Sequence, residues 1–261
     1  MRIRIALLLC TLAACNKHRD NTGGVVAQVT GDNGAVIGDN FHSVCSLYVP
    51  LPPDMGTAQD PIWCTGTLIA DDMLITAASC VEENLTADTL GDIEVLCGAN
   101  VDEPFGVSQV VLHRYYQRST GSIDDLALVR LDGTPTTATV AVLNEAPLTG
   151  LGPSDPADCT DLSVSGCVAL VGFGETANGA DDPGSRNGTY VPLRSLDDKT
   201  LLAGTPTQTT CAGDTGAAVF MDLGDGPVLV AVSSSNRSSC NNNVVRTRVD
   251  AYLTGFIYPY L

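Results

Sequence analysis

The chain has 261 residues, 44% of them hydrophobic, and carries 30 acidic against 13 basic side chains, a formal net charge of −17. This length and composition supply a full-sized buried core in one or two domains, which disfavours an intrinsically disordered chain. The negative charge argues against nucleic acid as a partner, because phosphates would be repelled. A basic polypeptide partner and a purely solvating acidic surface both fit this charge.

The first fourteen residues have the pattern of a bacterial lipoprotein signal peptide. Arg2 and Arg4 precede an apolar run, and a Leu-Ala-Ala triplet stands directly before Cys15, as in a lipobox. The run is too short to span a bilayer. We expect residues 1–14 to be removed and lipid to be attached to Cys15. The protein would then lie at the periplasmic or cell-surface face of a bacterial envelope membrane, held by its lipid anchor only.

The cysteine count gives independent support for this anchor. Of the ten cysteines, Cys10 lies in the signal peptide, which leaves an odd number in an exported protein. If Cys15 carries lipid, eight remain for disulfides, which indicates an oxidising compartment. Ordinary signal cleavage with one free cysteine is the alternative. The eight are Cys45, Cys64, Cys80, Cys97, Cys159, Cys167, Cys211 and Cys240.

A polar segment over residues 15–35, rich in Gly, Asn and Thr, predicts a flexible tether. Short β-forming runs separated by Gly, Pro and Asp follow it. The first set of predicted strands is Ser43–Val49, Gly66–Ala70, Met73–Ala77, Ile93–Cys97 and Val107–Leu112. The second set is Val168–Gly172, Ala217–Asp222, Val228–Ser233 and Val244–Val249.

The last segment, Asp250 to Leu261, is the only one with helical spacing. Apolar residues recur there at three- and four-residue intervals, which predicts a terminal helix. They are Tyr252, Leu253, Phe256 and Ile257.

Three stretches resemble the catalytic segments of the trypsin-like serine proteases, in the family's order. The first, CTGTLIADDMLITAASC from Cys64 to Cys80, resembles CGGSLI and LTAAHC, with Ser79 in the histidine position. The second, DLALVRL, resembles DIALLRL and keeps its aspartate as Asp125. The third, CAGDTGAA, resembles CxGDSGGP with Thr215 in place of the nucleophilic serine.

Weaker matches extend the resemblance to about residues 36–261. VGFG resembles the family's xGWG turn, RVDAY resembles RVxxY, and VIGD at 36–39 weakly resembles IVGG without a preceding basic residue. The resemblance implies an all-β fold of two six-stranded antiparallel β-barrels, the first over about 36–135 and the second over about 136–249. A C-terminal helix would follow over about 250–261. It also implies the disulfides Cys64–Cys80 and Cys211–Cys240, to which we add Cys45–Cys97 and Cys159–Cys167.

The two replaced positions decide the expected chemistry. Peptide hydrolysis on this template needs a hydroxyl nucleophile, an imidazole base and an orienting carboxylate. The hydroxyl of Ser79 cannot accept a proton near neutral pH. None of His18, His42 and His113 matches the base position. Threonine is a nucleophile in other hydrolases, but its methyl group restricts χ1 in this position.

The remaining site residues have two interpretations each. Gly213 and the amide of Thr215 match the family's oxyanion hole, but the turn also requires those backbone angles whether or not it binds an oxyanion. Asp125 is either the orienting carboxylate or a buried, hydrogen-bonded acid. Thr209, Ser233 and Ser235 match the specificity pocket and differ from a pocket for Arg or Lys. The resemblance implies neither a cofactor nor a metal.

These observations favour a lipid-anchored, catalytically inactive protease homologue that binds a protein or peptide through the former catalytic cleft and its surface loops. The alternative is an active endopeptidase that uses Ser79, Asp125 and Thr215. A structural envelope lipoprotein with no saturable partner is a third possibility.

Overall fold

The computed structural model describes residues 41–49, 62–82, 87–98, 103–118, 123–152, 159–175, 186–234, 240 and 243–261. The predicted signal peptide, the lipidation site at Cys15, the tether and the pocket residue Ser235 lie outside the described residues.

The first barrel is built from short antiparallel strands and two helical turns, α1 (Ala78–Val81) and α2 (Ala87–Leu90). The strands are β1 (Val44–Val49), β2 (Ile62–Ala70), β3 (Met73–Thr76), β4 (Glu94–Cys97), β5 (Glu103–Phe105), β6 (Val107–Leu112) and β7 (Ala127–Leu131). They pair in the order β5-β4-β1-β2-β3-β7-β6.

A single residue, Gly106, separates the two edge strands β5 and β6 of this sheet. Its N–H donates to Asp132 Oδ1 at 3.0 Å, and a Cβ atom at Gly106 would lie only 2.7 Å from Asp132 Oδ2. The chain therefore bends there and joins the two sheet edges, so that β5 and β6 act as one bent strand of a six-stranded barrel.

The second barrel is closed by hydrogen bonds in the order β10-β13-β12-β11-β8-β9. Its strands are β8 (Cys167–Gly172), β9 (Asn187–Leu196), β10 (Thr200–Ala203), β11 (Ala218–Asp222), β12 (Pro227–Ser233) and β13 (Arg246–Arg248). A helical segment over residues 250–260 follows, in short turns of Asp250–Tyr252, Leu253–Ile257 and Tyr258–Tyr260. The predicted double barrel with a terminal helix is confirmed.

Three apolar clusters hold these parts together. One fills the first barrel around Leu47 and Val129, and another fills the second around Leu170 and Val230. The third lies between the barrels, where the terminal helix buries the four apolar residues whose spacing predicted it. The terminal helix therefore closes the seam between the barrels, and the hydrophobic effect on this shared face fixes their relative position.

The structure contains four disulfides with the pairings that the sequence analysis expected. They are Cys45–Cys97, Cys64–Cys80, Cys159–Cys167 and Cys211–Cys240. The first joins the adjacent strands β1 and β4, and the second joins β2 to α1. Each restricts the unfolded chain and contributes about 3 kcal/mol to stability.

The longest strand of the second barrel, β9, was missing from the predicted strands. Gly188 and Pro192 interrupt its apolar pattern, and both residues are typical of turns. Pro192 is tolerated because β9 shifts register against β10 next to it, between Leu193 and Ser195, while the carbonyl of Pro192 still accepts from Gly204 N at 3.0 Å. The strand is therefore held by its neighbours β8 and β10 and not by its own pattern.

Candidate active site

The turn α1 places Ser79 at one end of the first barrel. Strand β3 ends at Thr76, Ala77 is extended, and the helical turn begins directly after it. The neighbouring Cys80 is bonded to Cys64 of β2, which fixes α1 against the barrel wall. Ser79 is buried as a result and cannot rotate freely into solvent.

The carboxylate of Asp125 lies against Ser79. Ser79 N donates to Oδ1 at 2.8 Å, and the Ser79 hydroxyl donates to Oδ2 at 2.8 Å. The hydroxyl of Ser234 donates to the same Oδ2 atom. Asp125 is only 1% exposed, so these three donors replace the water that an ionised carboxylate would otherwise bind.

The hydroxyl of Ser79 is therefore already a donor to an anion. Its proton points at Oδ2, and a neutral alcohol oxygen has no useful basicity near neutral pH. Within the described residues, no imidazole is hydrogen-bonded to Asp125. The carboxylate has a hydrogen-bond partner where the motif expects histidine, but that partner is not a base.

His113 lies in a separate cluster with Asp124, Tyr252 and Phe256. Its Nδ1 lies 3.9 Å from Asp124 Oδ1, and its ring packs edge-on against Tyr252 and Phe256. Burial lowers the pKa of His113, although Asp124 opposes this shift. His113 is therefore a packed residue beneath the site, with no recorded contact to the carboxylate of Asp125.

Asp124 has a structural role in the turn that presents Asp125. It is the only described residue other than glycine with a positive φ, at 61°. Its carboxylate accepts from Lys199 Nζ at 2.9 Å and from the Tyr252 hydroxyl at 2.6 Å. Burial alone would raise its pKa, but these hydrogen bonds outweigh it and lower the pKa. These hydrogen bonds hold Asp124 in its strained left-handed conformation, and the turn that this conformation makes directs Asp125 inward.

The turn that carries Thr215 depends on two glycines in the left-handed region. Gly213 has φ 89° and Gly216 has φ 86°. A Cβ atom at Gly216 would lie 2.0 Å from the carbonyl oxygen of Thr65, and one at Gly213 would lie 2.8 Å from Gly174 Cα. Both positions therefore require glycine, whatever the turn does chemically.

Hydrogen bonds from Thr65 hold the turn that carries Gly213 and Thr215, the two residues of the predicted oxyanion hole. Among the described residues, no atom accepts from the Gly213 N–H, while the Gly213 carbonyl accepts from Thr65 Oγ1 at 3.3 Å. The carbonyl of Thr215 accepts from Thr65 N at 2.8 Å. Thr65 in β2 therefore fastens the turn of the second barrel to the first barrel, a role that no motif indicated.

A second buried carboxylate, Asp214, organises the turn from inside. Oδ2 accepts from Cys211 N at 2.8 Å and Oδ1 accepts from Gly174 N at 2.9 Å. Burial raises the pKa of Asp214 to about 6, against the effect of these amides and of Arg246. A Cβ atom at Gly172 would lie 2.1 Å from Oδ1, so the glycines of the VGFG turn make room for this carboxylate.

The serine run after β12 connects the two halves of the site. The carbonyl of Ser233 accepts from Gly216 N at 2.8 Å, and the hydroxyl of the next residue, Ser234, reaches Asp125. The sequence analysis named Ser233 and Ser235 as pocket residues and did not assign a contact to Ser234. Ser233 is fully buried and its hydroxyl has no hydrogen-bond partner among the described residues. The predicted pocket residue Thr209 is buried as well.

A buried cation at this end of the second barrel was also missed. Arg246 stands directly opposite Ser233 in the β12–β13 pair and is fully buried. Its Nη1 donates to Val244 O at 2.7 Å, while Nε and Nη2 have no hydrogen-bond partner among the described residues. Burial lowers its pKa to about 10, so the guanidinium stays charged at neutral pH.

These motifs, the double barrel and the disulfides agree with the comparison with known families. The family model named Trypsin matches residues 54–255 of this chain. The chain belongs to the trypsin family. The match covers residues of both barrels and includes Ser79, Asp125 and Thr215.

Within the described ranges of this trypsin-family chain, no three His, Cys, Asp or Glu side chains come together in a group that could hold a metal ion. None of the helices in those ranges has the length and apolar character needed to cross a membrane.

Proposed function

We propose that this trypsin-family protein is a catalytically inactive, lipid-anchored pseudoprotease that binds a protein or peptide through its former catalytic cleft. One observation supports the inactivity more than any other, namely that the hydroxyl of Ser79 donates to the Asp125 carboxylate at the position where the family motif has its base. The carboxylate thereby orients a group that cannot take a proton from Thr215.

The N–H donor in the turn that carries Thr215 does not compensate for the missing base. The Gly213 N–H, which has no acceptor among the described residues, favours the alternative, an active endopeptidase with an unorthodox site, because such a donor stabilises a tetrahedral oxyanion. An oxyanion donor without a base supplies only a small part of the rate, and loss of the base in comparable triads removes about six orders of magnitude in turnover. Inactivity is therefore the proposal.

A partner-binding cleft is a separate part of the proposal and has its own test. Ala212 lies at the partly exposed rim of the Thr215 turn, so Ala212→Arg blocks the cleft without disturbing the core. Ala251→Arg, on an exposed position of the terminal helix, is the matched control. Affinity capture from the native envelope should recover the same partner with wild type and with Ala251→Arg, and lose it with Ala212→Arg. Equal recovery by all three proteins would place the partner elsewhere.

The anchor is tested independently. Replacing Cys15 with Ser should release the protein from the membrane fraction and abolish lipid labelling. Cys10→Ser, inside the predicted signal peptide, is the control and should leave attachment unchanged. Membrane attachment of the Cys15→Ser protein would contradict the anchor.

A further inference from the structure

An apolar groove lies at the far end of strand β12 from the candidate active site. Strand β12 runs from Pro227, next to the groove residue Val228, to Ser233, whose neighbour Ser234 donates to Asp125. At the rise of a β-strand, Val228 and Ser234 are about 20 Å apart. The groove is therefore not an extension of the catalytic cleft.

The groove concentrates exposed apolar surface that is otherwise rare on this protein. It has a volume of about 640 Å³. Of the eight large hydrophobic side chains exposed in the described residues, four line it: Val142, Leu223, Tyr258 and Leu261. Val142 is 63% exposed and Leu261 is 53% exposed. A contiguous apolar surface of this kind costs free energy in water and marks an interaction site more often than scattered exposed residues do.

Backbone hydrogen bonds form the groove before any partner arrives. The segment that carries Val142 is bonded to both barrels, by Ala141 N to Leu68 O at 2.8 Å and by Leu229 N to Val142 O at 2.7 Å. On the opposite wall, Asp222 accepts from two amides of its own turn and thereby holds Leu223 outward. A partner therefore binds a rigid surface and loses less entropy on binding.

The charge of the groove selects the kind of partner. Glu145 and Asp225 line it, and none of its described lining residues is basic. Glu145 accepts from the Tyr258 hydroxyl at 2.8 Å, so its carboxylate is fixed at the groove wall. The chain as a whole carries a net charge of −17, which adds to the negative potential. Apolar walls with fixed carboxylates complement a segment that presents apolar side chains next to Lys or Arg.

We propose that this groove binds a segment of another protein that carries apolar side chains beside one or more basic residues. The contact is independent of the catalytic cleft and does not rest on the pseudoprotease proposal. It gives the anchored protein a second binding surface.

A selection with random displayed peptides tests the proposal without knowledge of the partner. The full chain serves as bait, and peptides that also bind the Val142→Glu variant are discarded. The remaining peptides should be rich in apolar residues and in Lys or Arg. Their affinity should fall about tenfold or more in Leu261→Glu, a variant that plays no part in the selection, because a charge then enters another part of the apolar wall. It should also fall when the NaCl concentration rises from about 0.05 to about 0.5 M.

Two matched variants make the result specific. Val140→Glu changes a similarly exposed residue of the same segment that does not line the groove, and should leave affinity within about twofold of wild type. Asp225→Lys should lower the affinity for the basic peptides. It should leave folding unchanged, since Asp225 lies in an exposed turn. Recovery of no peptide, or of peptides without basic residues, would overturn the proposal. Self-association that Val142→Glu abolishes would overturn it too, in favour of a second copy of this chain.

Discussion

The two buried carboxylates of the site are held in different ways. Among the described residues, Asp214 accepts only from the backbone amides of Cys211 and Gly174, and it packs against Gly172 and Gly174, where a side chain would not fit. Asp125 depends on side chains, because two of its three donors are the hydroxyls of Ser79 and Ser234. Backbone partners are set by the fold itself, whereas side-chain partners change with a single substitution.

This contrast explains how a trypsin-family fold accommodates a non-basic residue in the base position. A serine at position 79 still satisfies the Asp125 carboxylate, so no unpaired buried charge is left behind. On the proposed account, the cost of the replacement falls on chemistry and not on folding. The glycine-dependent turn around Asp214 has a structural role, since its carbonyls at Gly213 and Thr215 tie it to Thr65 of the first barrel.

The largest loss of unfolding free energy should come from a substitution in the glycine turn around Asp214. Gly216→Ala would place a Cβ atom 2.0 Å from the Thr65 carbonyl oxygen at a positive φ, and we expect it to lose about 4 kcal/mol or more of unfolding free energy. Gly224→Ala is the matched control, because its φ is 120° and nothing lies within 4 Å of the added Cβ. It should lose only about 1 kcal/mol. Equal losses in urea unfolding would contradict the packing of this turn.

The second-largest effect should be the pH dependence of stability that Asp214 causes. Its pKa of about 6 lies above the ordinary value, so the folded state binds this proton more tightly than the unfolded state. Its contribution to stability is therefore greatest below pH 4 and is lost as pH rises through about 6. Relative to Asp214→Asn, wild type should gain about 2 kcal/mol between pH 7 and pH 4. Asp225→Asn should track wild type, and a constant difference for Asp214→Asn would contradict the raised pKa.

Removal of the hydroxyl groups that donate to Asp125 should cause a smaller loss of unfolding free energy. Ser79→Ala and Ser234→Ala should each lose about 1–3 kcal/mol, because each leaves a buried carboxylate with one donor fewer. Ser108→Ala, whose hydroxyl bonds carbonyls near the surface, should lose less than about 0.5 kcal/mol. Thermal unfolding of the three variants gives the comparison. Losses for Ser79 and Ser234 no larger than the Ser108 loss would mean that Asp125 does not need these donors.

The smallest effect concerns the buried arginine. Arg246→Met removes a guanidinium whose Nε and Nη2 have no hydrogen-bond partner among the described residues. It should leave the unfolding free energy within about 1 kcal/mol of wild type, or raise it. Arg248→Met, two residues along the same strand, removes a guanidinium that is bonded to Asp250 and to the carbonyl of Asp197. It should cost about 3 kcal/mol. A loss for Arg246→Met as large as that for Arg248→Met would show that Arg246 has a partner that stabilises it.

The sequence indicates some of this architecture and misses the rest for identifiable reasons. The positions of Ser79, Asp125 and Thr215 are evident because each lies in a contiguous motif. The role of Ser234 is not, since three consecutive serines leave the register ambiguous until the β11–β12–β13 pairing is known. Arg246 carries no signal at all, because a polar residue in a short strand of sequence Arg-Thr-Arg resembles a surface position.

Longer-range features are the hardest to read from the sequence. The apolar groove is assembled from segments that are far apart in the chain. The tie that Thr65 makes between the barrels likewise depends on residues more than a hundred positions away. Local pattern predicts strands and motifs, but contacts of this separation follow only from the closed topology.

The central claim is that Thr215 is not activated as a nucleophile, and its reactivity tests this most directly. Wild type and the Thr215→Ala variant are incubated with a fluorophosphonate, and the peptide that contains residue 215 is examined by mass spectrometry. We predict no adduct on Thr215, with labelling of the whole protein indistinguishable between the two. The double variant Ser79→His/Thr215→Ser, which restores the family's residues, serves as a comparison for the reagent. A stoichiometric adduct on wild-type Thr215 that is absent from Thr215→Ala would contradict the account and establish an active, unorthodox hydrolase.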